Sequence, residues 1–309
     1  MTSVSTAYAT IVIAARNAGK YNGATLDSLA ALNDQDFRVI LVNDGSTDDT
    51  VQIAEDFKAA HPAIDLVILT GPAQGVSAAR NMGLAQVTSD VVIFLDADDL
   101  LATDALAGFK MALEGTDCIA ALGRVLRIDE AGKPQPSPDN RELVPDSGQL
   151  YALIKKNYIV NGGALAIRTA IAKAVGGYDK SLKYGEDWEF WCRLLAMGDI
   201  VTAGGDHSLG YRQIGTGANF LAGAKPFARD IACLDRIAAN TDIRKQLGWR
   251  LGLALRMRRI DIFWSGVRTK YQYGSKRSAL MLSALGLLVY PDSLARPKLA
   301  VRLLKSVLR

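Results

Sequence analysis

Three short acidic stretches hold the residues of this 309-residue chain best placed to do chemistry. In Asp96-Ala97-Asp98 two carboxylates stand one residue apart. Hard divalent cations such as Mg2+ or Mn2+ take oxygen ligands, and ribose hydroxyls donate to the same acceptors, so the pair suits either partner. The bland alternative is a solvated turn that caps a helix starting near Thr103. In Asn43-Asp44-Gly45-Ser46-Thr47-Asp48, Asp44 can accept from a ribose hydroxyl or a base N–H, while Ser46 or Thr47 can cap the helix that follows. In Gly185-Glu186-Asp187-Trp188-Glu189-Phe190-Trp191, three carboxylates open a helix beside two tryptophans. A helix N-terminus favours the charged carboxylate, so Asp187 is expected ionised and able to take a proton. Trp188 or Trp191 can offer a face to a sugar, although the spacing of Trp191, Leu194 and Leu195 fits a core-filling role better.

The elements that must position these residues are legible in the first half of the chain. Residues 10–15, 38–42, 66–69 and 91–95 are short, nearly continuous apolar runs. Between them, residues 25–32, 48–60 and 76–86 have helical spacing, the second with carboxylates in its first turn. Apolar strands that alternate with helices indicate a parallel sheet buried on both faces, a doubly wound α/β core. Ligands of such sheets bind beyond the carboxyl ends of the strands. The runs 38–42 and 91–95 both end in acidic turns, which places Asp44 and Asp96 on one edge. Further on, residues 133–145 hold four prolines and read as an exposed loop. Residues 164–167 read as a strand, and 187–197 as a helix closed by Gly198 at its C′ position. From about Pro226 the signals are helical and basic. The expected division is therefore an α/β domain over 1–225, which holds all three acidic stretches, and a basic helical region over 226–309.

Composition narrows the class. Apolar residues make up 49% and charged residues 22%, ordinary for a globular protein with a sizeable core. Cys118, Cys192 and Cys233 form no CxxC or zinc spacing and read as reduced thiols, which favours the cytoplasm. No basic residue precedes the apolar run at 7–15, so a buried first strand explains it better than a signal peptide. Residues 278–290 fall short of the ~18 apolar residues a membrane span needs. The net charge of +4 hides an asymmetry: residues 244–309 hold fifteen Lys/Arg against two Asp/Glu, so the rest is net acidic. In 297–309, Lys298, Arg302, Lys305 and Arg309 recur opposite Ala300, Leu303, Leu304, Val307 and Leu308. Such a helix fits peripheral contact with the anionic inner face of a membrane, or packing on the domain with a solvated basic face. No basic-aromatic array speaks for nucleic acid.

Taken in order, these stretches resemble the family 2 glycosyltransferases of the GT-A fold. The resemblance rests on Ile11-Val12-Ile13, the 42–48 stretch, Gly75-Val76-Ser77-Ala78-Ala79-Arg80-Asn81-Met82-Gly83-Leu84, Phe94-Leu95-Asp96-Ala97-Asp98-Asp99, Gly176-Gly177-Tyr178-Asp179 and Gly185-Glu186-Asp187. It implies a nucleotide-diphosphate sugar donor, UDP by default with GDP or dTDP as alternatives, and inversion at the anomeric carbon. It assigns Asp44 and Asp96 to the nucleoside, Asp98 to the metal, Asp187 to the general base and Arg80 to the nucleotide or its phosphates. Where many relatives have Pro-Ala-Tyr-Asn, this chain has Ala14-Ala15-Arg16-Asn17, which removes a stacking ring and turns attention to Arg16 as a phosphate ligand beside Ala15. Tyr211-Arg212-Gln213-Ile214 lacks the histidine that many relatives carry near the metal, and His207 lies a few residues earlier.

The expected activity is sugar transfer to a saccharide or lipid-linked acceptor in surface polysaccharide or glycoconjugate synthesis. Asp187 serves as base and Glu186 orients the acceptor or stands as second choice for base. Two alternatives remain open at this point. A nucleotidyltransferase would want a Gly-rich, cationic loop after the first strand, and residues 14–20 are a poor version. An inactive sugar-nucleotide binder would not need Asp98 and Asp187. The lack of GxGxxG after the first strand speaks against a dehydrogenase.

Overall fold

The computed structural model describes residues 7–71, 73–214, 231–273 and 276–291. These form two compact units, one of residues 7–153 with 157–214, the other of 154–156 with 231–291. The boundary expected near Pro226 and the basic segment 297–309 lie outside the described residues.

The first unit opens with β1 (Ala9–Ala15), α1 (Gly19–Ala30), β2 (Phe37–Asn43), α2 (Thr50–Ala60), β3 (Leu66–Thr70), α3 (Val76–Ala85) and β4 (Val91–Asp96). There follow β5 (Leu100–Leu101), α4 (Ala105–Leu113), β6 (Ala120–Leu122), β7 (Val125–Ile128) and β8 (Pro134–Gln135). The chain continues with α5 (Gln149–Lys155), whose residues 154 and 155 are counted with the second unit, and then, in the first unit, β9 (Leu165–Arg168), α6 (Thr169–Ala174), α7 (Glu186–Leu195), β10 (Ile200–Thr202) and β11 (Leu209–Arg212). Seven strands form the main sheet in the order β10-β6-β9-β4-β1-β2-β3. All neighbours are parallel except at β9, which runs antiparallel to both β4 and β6. The alternating apolar runs thus form the mostly parallel, doubly wound core expected of them.

Strand β1 explains why the sheet is covered on both faces. Ile11, Val12 and Ile13 are all fully buried, so neither face of the strand meets water. Helix α3 lies close on Val12: a Cβ on Gly83 would collide with its Cγ1. The one buried hydroxyl of the strand, that of Thr10, is satisfied by Ser89 Oγ at 2.7 Å. Registers Ala14 to Asp96 and Ala15 to Asn43 bring the carboxyl ends of β4, β1 and β2 level. The turns that follow β2 and β4 therefore flank the end of β1, with both acidic stretches on one edge.

A second sheet has the order β5-β11-β7-β8. Part of it comes from the segment expected as an exposed loop, because β8 pairs with β7 and residues Arg141–Leu143 make a 3-10 turn. Asn140 organises this segment from a buried position: its Oδ1 accepts from Val125 N and its Nδ2 donates to Gly123 O.

Three local expectations change. Ser46 and Thr47 do not cap α2; Ser46 Oγ accepts from Asn17 N and Thr47 N donates to Asn17 Oδ1. The first turn of α2 is instead served by Asp48, whose Oδ1 accepts from Thr50 N and Thr50 Oγ1. The acidic turn after β4 runs into β5 rather than capping α4, which begins after Asp104. Gly198 is no left-handed C′ residue: α7 ends at Leu195 and Gly198 is needed for space, since a Cβ there would lie 2.6 Å from Ile119 Cγ2.

The second unit is helical, with α8 (Ile231–Ala239), α9 (Thr241–Leu247), α10 (Trp249–Tyr273) and α11 (Lys276–Val289). Asn240 caps α9, its Oδ1 accepting from Asp242 N and Ile243 N. Helices α10 and α11 share an apolar cluster of Ile260, Trp264 and Val267 with Phe263, Leu282, Leu287 and Tyr290. No described helix is long and apolar enough to cross a membrane.

Candidate active site

The turn after β4 gathers three carboxylates. Asp96, Asp98 and Asp99 each place an oxygen within 4.8 Å of the others. Thr25 of α1 fixes the middle of the turn by donating its hydroxyl to Ala97 O at 3.0 Å. The three acids have different surroundings. Asp99 is fully buried and engaged on both oxygens, by Arg212 N at 2.8 Å and Asn161 Nδ2 at 2.7 Å. Burial, with the charges of Asp96 and Asp98, pushes its pKa well up. Asp96 accepts from Arg80 Nη2 at 2.6 Å and from Asn161 Nδ2 at 3.2 Å. Asp98 receives no hydrogen bond from another described residue, and burial with the neighbouring Asp96 raises it to about 6. This donor set fits a divalent ion: a half-buried carboxylate without a hydrogen bond from another described residue, flanked by two more carboxylates, offers the hard oxygens that Mg2+ and Mn2+ prefer.

Arg80 joins this turn to the third acidic stretch. It lies in α3, and its side chain is only 6% exposed. Nη2 reaches Asp96 and Nη1 reaches Asp187 Oδ1 at 2.6 Å, with Glu186 Oε1 at 4.0 Å. The guanidinium also lies over the Tyr178 ring, 5.0 Å from its centroid. Burial opposes its charge, but Asp187 and Asp96 more than offset that and hold it protonated. Arg80 was expected near the nucleotide or its phosphates; in the structure its fork is taken up by two carboxylates that are 91 residues apart in sequence.

What brings Asp187 to Asp96 is aromatic packing beneath them. Phe94 of β4 meets Tyr178 edge-on at 5.1 Å and Phe190 of α7 at 6.0 Å, and Tyr178 stacks on Phe190 at 4.3 Å. Each such pair contributes about 0.5–1.5 kcal/mol beyond its buried area. Asn81 secures Tyr178 by donating to its carbonyl and accepting from its N–H. Gly185, at φ 74°, makes the left-handed turn that starts α7 directly at Glu186. Asp187 then stands in the first helical turn with its side chain 33% exposed. Burial, together with Asp96, raises its pKa, while Arg80 opposes the rise. Glu186, more enclosed, is pushed up to about 7 by burial and by Asp187. Oδ2 of Asp187 carries no hydrogen bond from a described residue, which leaves a carboxylate oxygen available to a proton. Burial is the larger cause of the rise at Glu186 and Asp187, and the neighbouring acids of the cluster add to it.

The remaining sequence-derived residues are placed as follows. Asp44 is buried at the end of β2, and its carboxylate accepts from Gln74 N at 3.2 Å and Gly75 N at 2.8 Å, just before α3. Ala15 is buried and its carbonyl accepts from Asp44 N. Arg16 is exposed beside Asn17, whose left-handed backbone lets the loop after β1 be stitched to the 46–50 turn. Neither tryptophan of α7 presents a face: Trp188 and Trp191 are both buried, and Trp188 Nε1 donates to Leu153 O. Glu189 pairs with Arg193 one turn on and braces the helix. His207 is half-buried in the segment before β11.

Two residues that organise the site were given no role from the sequence. Asn161 ties Asp96 to Asp99 through Nδ2 and accepts from Gly163 N; only the Asn161-Gly162-Gly163 turn hints at it. Arg212 lies in the Tyr211-Arg212-Gln213-Ile214 stretch that lacks the histidine. Its Nε donates to Asp98 O, its N–H to Asp99, and its Nη1 to Glu130 O, so it holds the acidic turn against the second sheet.

The sequence has matching counterparts. A family model described as "Glycosyl transferase family 2" matches residues 10–176, more than half of the chain. The pre-mycofactocin glycosyltransferase of Mycobacterium tuberculosis is 31% identical over 197 residues, covering 61% of this chain and 39% of that protein. The teichoic acid poly(glycerol phosphate) polymerase of Staphylococcus epidermidis is 35% identical over 189 residues, covering 59% of this chain and 25% of that protein. The matched part thus spans well under half the length of either relative. The mannosyltransferase of Pyrobaculum calidifontis, solved with GDP-Man and Mn2+, matches with a TM-score of 0.61 at 17% identity, over 97% of this chain and 86% of that one. At that identity the likeness is one of fold.

Proposed function

This chain belongs to glycosyl transferase family 2, and on that premise we propose that it is an inverting glycosyltransferase that moves a sugar from a nucleotide-diphosphate donor to a saccharide or lipid-linked acceptor. The observation that carries the reading is the junction of Asp98, a carboxylate in the turn after β4 that no other described residue hydrogen-bonds, with Asp187 through Asp96 and Arg80. A transferase of this kind needs both a place for the leaving diphosphate and a base for the acceptor. The two lie here on one charged cluster.

Asp98, with Asp96 beside it, would hold Mg2+ or Mn2+. Such an ion offsets the negative charge that develops on the departing nucleoside diphosphate. The relative solved with GDP-Man and Mn2+ supports this assignment. Asp44, Ala15 and Asp96 line the strand edge where the nucleoside belongs, and exposed Arg16 lies within that edge as a phosphate partner. Asp187 Oδ2 takes the acceptor hydroxyl proton as that oxygen attacks the anomeric carbon from the face opposite the leaving group. One displacement then inverts the centre. A carboxyl raised by burial is the stronger base, and a positioned base contributes about 10²–10⁴-fold. Glu186, half protonated near neutrality, donates a hydrogen bond that orients the acceptor. The teichoic acid relative supports a role in surface polymer or glycoconjugate synthesis.

The test is calorimetry of UDP-, GDP- and dTDP-sugars with and without Mn2+, on the wild type and on Asp98→Ala. The wild type should bind one nucleotide class in a metal-dependent way. Asp98→Ala should lose the metal dependence and keep its fold, because the carboxylate makes no bond that the fold requires. Unchanged metal-dependent affinity in the variant would remove Asp98 from the metal site. Binding without any transfer to saccharide or lipid-linked acceptors would point to an inactive donor-binding relative.

A further inference from the structure

The helical unit carries an apolar face that nothing described covers. Helix α11 has no charged residue from 278 to 291, and its apolar residues point two ways. Ala279, Leu282, Gly286, Leu287 and Tyr290 turn toward α10, where a Cβ on Gly286 would collide with Phe263. The opposite face repeats at helical spacing, with Leu280, Met281, Ala284, Leu285 and Leu288 all exposed. Met281 is 73% exposed, Leu285 50% and Leu288 80%. A single exposed leucine means little, but an aliphatic stripe along three turns marks a contact surface.

Charge identifies the occupant. From 244 to 291 the chain holds ten Lys/Arg and one acidic residue, Asp261, and Lys276 and Arg277 stand at the start of the stripe. A second copy would bring two such net-positive segments together. A protein groove would have to be both acidic and deep enough for an unbroken aliphatic row. A bilayer with anionic headgroups supplies both features, an acyl boundary for the leucines and negative charge for the flanking cations.

We propose that the exposed face of α11 docks on an anionic lipid surface, with Met281, Leu285 and Leu288 entering the headgroup–acyl boundary. The helix lies on the membrane rather than crossing it, consistent with its 14 residues. Such docking would place a lipid-linked acceptor near the chain, and to that extent it extends the reading of the protein as a transferase. Its test reads vesicle binding and no transfer step, so the two readings fail separately.

The full chain is co-sedimented with vesicles of phosphatidylcholine alone and with vesicles containing phosphatidylglycerol, at low and high salt. The wild type should bind the second and not the first, and less at high salt. The triple variant M281S/L285S/L288S keeps every charge and alters only exposed side chains. It should melt as the wild type does and lose vesicle affinity by about tenfold or more. A wild type that ignores anionic vesicles overturns the proposal, whatever covers the face. Equal binding by the triple variant does so too, by assigning the affinity to the cations alone. A wild-type dimer in light scattering that the variant converts to monomer, with vesicle binding unaffected, makes the face a self-interface and also overturns it.

Discussion

Arg80→Ala should weaken the folded state more than any other single change in the acidic cluster. The guanidinium is 6% exposed and makes two charge-assisted bonds of 2.6 Å, to Asp96 and to Asp187. Breaking a buried pair by removing one partner costs about 3–5 kcal/mol, mostly because the other charge is left uncompensated. Here both partners are about a third open to water, which relieves part of that penalty, so the lower end of the range applies, about 3 kcal/mol. For a domain of this size each kcal/mol moves the melting temperature by roughly 2–4 °C, so a fall of about 6–12 °C is expected. Arg80→Lys should rescue less than half, because an ammonium is a point charge that cannot bridge both carboxylates. The decisive assay is a double-mutant cycle by thermal or urea unfolding. If the ion pair is responsible, adding Asp187→Asn to Arg80→Ala should restore about 1–2 kcal/mol, since one stranded charge is then gone. A variant that melts within about 2 °C of the wild type, or losses that simply add, would refute this account of what joins the two halves of the site.

Further expectations follow from the same cluster and from the packing around it. Asp187→Asn should bind donor with near-normal affinity and lose single-turnover transfer by about 10²-fold or more, with Glu186→Gln harming that step less; a fast Asp187→Asn enzyme would move the base to Glu186. Glu186 also makes stability depend on pH. Its pKa of about 7 in the folded metal-free protein exceeds the ordinary 4.5, so the folded state keeps a proton that the unfolded chain releases. The contribution is fully present below pH 4.5 and is lost as pH rises through 7, up to about 3 kcal/mol. Glu186→Gln should therefore stabilise the protein at pH 8 and leave it unchanged at pH 4.5, and identical melting curves at pH 8 would rule this out. Gly198→Val should destabilise by about 1–3 kcal/mol, because its side chain would press on Ile119, and a larger hydrophobic residue at Gly198 that leaves unfolding unchanged would show that the contact gives way easily.

The amino-acid sequence by itself determined the class of the fold and one edge of the site. Short continuous apolar runs such as 10–15 and 91–95, alternating with helical spacings, read as strands buried on both faces, and parallel strands point their carboxyl ends to one edge of the sheet. Asp44 and Asp96 were therefore destined for one edge before any coordinate was known. These are local signals, read within a window of a few residues. The tertiary structure decided everything that depended on residues far apart. Arg80 and Asp187 are 107 positions apart, and they meet because β9 enters the sheet antiparallel beside β4 and because Phe94, Tyr178 and Phe190 pack α7 beneath the acidic turn. Ser46 and Thr47 had the chemistry to cap α2, but the loop after β1 supplied competing partners in Asn17. Trp188 and Trp191 had the chemistry to face a sugar, but the apolar side of α7 needed them in the core. Asn161 and Arg212 organise the carboxylates through hydrogen bonds across 62 to 114 positions. A residue's type states which bonds it can make; which of them it makes depends on the partners that folding brings within about 3 Å.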